Sequence, residues 1–78
     1  MPTVFRHGPY RFFFYAGDRA EPPHVHVERD EKEAKFWLRP VRLQWARSFS
    51  RKDVNRLQRV IDFNEEELLR SWDEYFND

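Results

Sequence analysis

The chain has 78 residues, enough for one domain near the lower size limit for a self-sufficient core. It contains no cysteine, which excludes disulfides, cysteine-ligated zinc and thiol nucleophiles and fits a reducing cytoplasm. Fourteen basic residues balance fourteen acidic ones, so net charge points neither to nucleic acid nor to a membrane, and no apolar run reaches transmembrane length.

Aromatic bulk offers a substitute for size. Eight Phe, three Tyr and three Trp can each bury roughly 150–250 Å². Thr3 to Arg6 reads as a first strand, and His7-Gly8-Pro9-Tyr10 carries turn chemistry. Arg11 to Ala16 is a β-prone aromatic run, with Phe12 and Phe14 on one face and Arg11, Phe13 and Tyr15 on the other. Apolar residues on both faces predict a central strand, or one covered by helices on one side and by a partner on the other; a homodimer is a further partner expectation. Gly17 to Pro23 reads as a polar loop stiffened by two prolines.

His24 to Arg29 and Glu33 to Leu38 read as a hairpin joined around Asp30-Glu31-Lys32. A turn centred on Glu31-Lys32 pairs Val27 with Phe36 and Val25 with Leu38, matching apolar to apolar. The same register sets Glu28 against Lys35, His26 against Trp37 and His24 against Arg39. A turn one residue earlier keeps the faces but pairs His26 with Lys35. Pro40 interrupts the ladder, and Val41 to Trp45 alternates as a short edge strand. Ser50 begins a helix with a buried stripe of Val54, Leu57, Val60 and Ile61. Asn64 reads as a second N-cap, before a helix built on Leu68, Leu69, Trp72, Tyr75 and Phe76. The expectation is a single α+β domain over residues 1–78: an antiparallel sheet of four to five strands, then two helices packed on one face.

The candidate chemistry sits at His24 and His26, whose alternate spacing projects both rings to one side of a strand. A proton-transfer pair is one reading, since histidine titrates near neutrality. Lys35 and Arg39 on the neighbouring strand would then hold a phosphate, an arrangement suited to metal-independent RNA cleavage. Metal binding needs a third ligand, which comes down to Glu28 or His7; it ranks below proton transfer, and no metal or cofactor is assigned. Against both stands the plain reading of exposed strand histidines beside Trp37. Glu28 with Lys35 reads as a surface ion pair, and Trp45 and Trp72 read as core.

Several of these stretches together resemble a known family. They are Met1-Pro2-Thr3-Val4, Tyr10 to Tyr15, Glu21-Pro22-Pro23-His24-Val25-His26-Val27, Ala34 to Leu38 and Trp72 to Phe76. They resemble the small bacterial domain-of-unknown-function family numbered four-one-six-zero, and Pro-Pro-His-Val-His is the most specific motif. The resemblance implies one half of a two-gene toxin–antitoxin cassette, with a cognate small antitoxin-like protein covering the histidine face. It implies no agreed catalytic residues. The functional expectation is therefore a cytoplasmic toxin-like component acting on RNA or the translation machinery, or else a non-catalytic module that pairs with its cognate protein.

Overall fold

The β-prone first half of the chain folds as an antiparallel meander and the second half as two helices, in a computed structural model that describes residues 3–77. Met1 and Pro2 of the N-terminal motif, and Asp78 at the end of the expected domain, lie outside the described residues. The strands are β1 (Thr3–His7), β2 (Tyr10–Phe13), β3 (His24–Arg29), β4 (Lys32–Leu38) and β5 (Val41–Arg47), and they lie in the sheet in chain order. Helix α1 spans Arg51–Phe63 and α2 spans Glu65–Phe76. The expected α+β class and element order are both present.

One sheet face supplies Phe12, Val25, Val27, Ala34, Phe36 and Leu38, all buried against Leu57 and Ile61 of α1 and Leu68, Trp72 and Phe76 of α2. Phe14 lies beyond the end of β2 yet joins this core, with its ring centroid 5.3 Å from that of Trp72. The strand therefore ends earlier than expected, but the facing of its aromatics survives. The opposite face carries Phe13, His26, Lys35 and Trp45 in one row.

The β3–β4 hairpin corrects the expected register. His24 lies opposite Trp37, Val25 opposite Phe36, His26 opposite Lys35 and Val27 opposite Ala34. The turn falls one residue earlier, at Asp30-Glu31, where Asp30 adopts a left-handed φ of 55°. Aspartate tolerates that conformation, and it suits the tight twist of a two-residue hairpin. Because the slip is by an even number of pair positions, no residue changes face. Arg39, by contrast, loses its place opposite His24 and falls in the Arg39–Pro40 turn, which contains a cis peptide bond.

A second correction comes from an irregularity between β4 and β5. Lys35 pairs with Trp45, but Phe36 pairs with Leu43, so Gln44 is an extra residue. A bulge reverses the facing of the strand beyond it. Regular alternation would put Leu43 and Trp45 together on the core face; instead Trp45 joins the histidine face and stays partly exposed. It is not core, whereas Trp72 is.

The helix boundaries follow local chemistry. The Ser50 hydroxyl accepts the Asp53 amide at 3.1 Å, capping α1. Asn64 stands between the helices as expected, but its side chain does not cap α2. Its Nδ2 donates backwards to the Val60 carbonyl at 2.8 Å, closing α1 instead.

Candidate functional site

His24 and His26 fall on one side of β3 as their spacing dictates, but neither is an exposed strand residue: their fractional exposures are 0% and 5%. The segment between β2 and β3 seals them. Rather than an open loop, it forms a short 3-10 helix over Ala16–Ala20. The Asp18 amide donates to the Tyr15 carbonyl at 3.0 Å, and the Tyr15 amide donates to Asp18 Oδ2 at 2.9 Å. This reciprocal pair fixes the turn and the carboxylate together. Arg19 holds the far side, donating to the carbonyl of Phe76 at the end of α2.

The result is a cluster that the strand pattern alone does not contain. Asp18 Oδ2 lies 3.1 Å from His24 Nε2 and 3.2 Å from His26 Nε2. The donor atoms of Asp18, His24 and His26 all lie within 4.8 Å of one another, and among the described residues this is the group that could hold a metal ion. On their other ring nitrogens the histidines diverge. His24 Nδ1 is 2.9 Å from the Pro22 carbonyl, and His26 Nδ1 is 3.6 Å from Glu33 Oε2. Glu33 is in turn held by the Tyr15 hydroxyl at 3.2 Å and by Arg47 at 3.4 Å.

Aromatic rings wall the cluster. The His26 ring stacks on Phe13 with centroids 5.5 Å apart and meets the edge of Tyr15 at 4.5 Å. His24 lies between Trp37 and Trp72, at 5.7 and 5.1 Å. Burial in this setting pushes the His26 pKa down, against the opposing pull of the Asp18 and Glu33 carboxylates. Burial, with the Glu33 charge second, pushes the Tyr15 phenol up. Both groups therefore rest in their neutral forms at neutral pH.

The other expected site residues are placed differently. Lys35 lies directly opposite His26, but its ammonium pairs with Glu21 and sits over the Trp37 ring, 4.8 Å from the centroid. The same pairing holds the Glu21 carboxyl below its ordinary pKa. Arg39 lines a separate groove of about 180 Å³ with Pro22, Pro23, Trp37 and Arg42. Glu28 pairs with Arg11 at 2.9 Å, not with Lys35, and lies opposite Glu33. His7 is on β1, two strands from β3, and is exposed. Neither Glu28 nor His7 is part of the metal-competent group.

Asp18 is the residue that strand parity misses. It is six positions before His24, in a loop, and contributes by folding back. The available signal was an aspartate between Gly17 and the paired prolines, in a connection too stiff to wander far from the strand it enters.

Comparison with known proteins gives a family and little else. The model of the family described as "Domain of unknown function (DUF4160)" matches residues 10–73. That span takes in Asp18, both histidines and Trp72. No curated protein matches the chain, and no solved structure does.

Proposed function

This chain belongs to the DUF4160 family, and we propose that it is a cytoplasmic, toxin-like component of a bacterial toxin–antitoxin cassette, held by a cognate small antitoxin-like protein. The observation that carries the pairing is the outer edge of β5. This seven-residue strand ends the sheet, with Leu43 and Trp45 each 37% exposed. A long open edge beside exposed apolar side chains is a template for another chain, which adds backbone hydrogen bonds and buries the aromatics. A partner seated there also extends over the histidine face, because the Gln44 bulge turns Trp45 onto that side.

RNA or the translation machinery is the target class that this reading carries, with His26 as the group suited to proton transfer. Its ring is neutral, and so a base, at neutral pH. Lys35 and Arg39 lend less support to a phosphate site, since one is engaged by Glu21 and the other lies in the groove beside Pro40. The non-catalytic alternative rests on the same β5 edge and differs in needing no chemistry at His26.

Expression without the neighbouring gene is expected to arrest growth, and co-expression to restore it through a complex that co-purifies. Trp45→Ala is expected to weaken that complex roughly thirty-fold, the ~2 kcal/mol of an interfacial hot spot. Arrest that survives His26→Ala would remove the proton-transfer role and leave the binding module. No growth effect together with no complex would overturn the proposal.

A further inference from the structure

We propose that Asp18, His24 and His26 form a three-ligand site for a first-row divalent transition ion, through Asp18 Oδ2 and the Nε2 atoms of both histidines. Such a site does not need the cassette or its partner, but an ion on His26 Nε2 would take the place of the proton-transfer role of that ring. Its first sign is the ring of His24. A carbonyl can only accept, so the 2.9 Å contact with Pro22 puts the ring proton on Nδ1. In the neutral ring Nε2 is then a lone pair, and it faces a carboxylate oxygen 3.1 Å away. Two electron-pair donors at that separation need something positive between them.

A proton could bridge one such pair, but here three donors converge. Asp18 Oδ2 already accepts the Tyr15 amide and faces Nε2 of His26 as well as of His24. His24 Nε2 and both ring nitrogens of His26 are buried and make no well-aligned hydrogen bond among the described residues. Buried polar atoms left in that state are costly and call for an explanation such as an ion.

Two of the three spacings fit one. Metal–ligand bonds of about 2.0–2.2 Å at tetrahedral or octahedral angles set neighbouring ligand atoms roughly 2.9–3.5 Å apart. The two oxygen–nitrogen separations, 3.1 and 3.2 Å, fall within that range; the three donor atoms together span up to 4.8 Å, so the two histidine nitrogens would close toward each other on binding. The outer contacts also suit a metal site. His24 Nδ1 has the Pro22 carbonyl and His26 Nδ1 faces the Glu33 carboxylate, the usual partners that orient a metal-bound imidazole. Two imidazoles and one carboxylate suit zinc and its first-row neighbours rather than calcium or magnesium. Since Asp18 comes from the 3-10 turn and the histidines from β3, the ion would tie the β2–β3 connection to the sheet. Small domains often use such a staple.

The test uses untagged full-length chain, stripped with a chelator and titrated with Zn²⁺ in competition with a chromogenic chelator. Zinc is the probe because it binds such sites more tightly than manganese, iron or cobalt. One saturable equivalent per chain is expected, with a thermal midpoint about 10–20 °C higher at hundred-fold excess over Kd. Asp18→Asn is expected to lower affinity at least a hundred-fold, and His26→Gln likewise, while His7→Gln leaves it unchanged. Circular dichroism checks folding. Should His26→Gln fail to fold, Asp18→Asn carries the test, because its side chain is at the rim. No saturable binding by folded wild type would overturn the proposal, as would undiminished affinity in Asp18→Asn or loss of binding in His7→Gln.

Discussion

Phe36 lies at the meeting point of the sheet, opposite Val25 on one neighbour and Leu43 on the other, and is fully buried. Truncating it leaves a cavity that flanking strands cannot easily close. Phe36→Ala is expected to cost about 3–5 kcal/mol, most of the stability of so small a domain. Urea unfolding would register this as a lower midpoint or a chain already unfolded in buffer. Apolar residues such as this one declare their facing through parity, and Val25, Val27 and Phe36 all face as the alternation requires. His24 and His26 were legible the same way. Asp18 was not, because it meets them through a folded-back turn and no strand or helix period links it to them.

At the scale of elements, a stabilising device can be assigned to one hydroxyl. Ser50 satisfies the Asp53 amide at the free end of α1. Ser50→Ala is expected to lose about 1 kcal/mol, lowering the thermal midpoint by roughly 4–8 °C. A calorimetric scan would measure it, and an unchanged midpoint would show that the cap is dispensable. Most element boundaries were readable because their causes are local: turn residues, caps and changes of period. Two of the misreadings, the hairpin register and the face of Trp45, come from pairing between strands. Asp30 could accept the left-handed turn, and Gln44 could be spared from the ladder; neither choice is visible within a single strand.

The whole molecule is an asymmetric sandwich of one sheet and one helical layer. β3 is central and is covered by the helices on one face and by the 3-10 turn on the other. β5 is an open edge. Hydrogen exchange should follow that contrast: β3 amides are expected to open only with global unfolding, while outward-facing β5 amides exchange rapidly. Adding the cognate protein is expected to slow β5 selectively. Protection appearing elsewhere, with β5 unchanged, would move the interface from the edge. Among the described residues no helix is long and apolar enough to cross a membrane.

By itself the sequence determined the α+β class, the order of the elements, the inward set of apolar residues and the side of β3 on which the two histidines stand. These come from periodicity and turn chemistry, which act over a few residues. Only the tertiary structure decided that the histidines are buried, that Lys35 answers to Glu21 and Arg39 stands apart, and that Asp18 completes the cluster. Arg39 is displaced by the hairpin register, and the other outcomes depend on how a stiff ten-residue connection, from Phe14 to Pro23, packs back over the sheet. Contacts of that kind are set by the shape and chemistry of the surface underneath, and no local pattern encodes them.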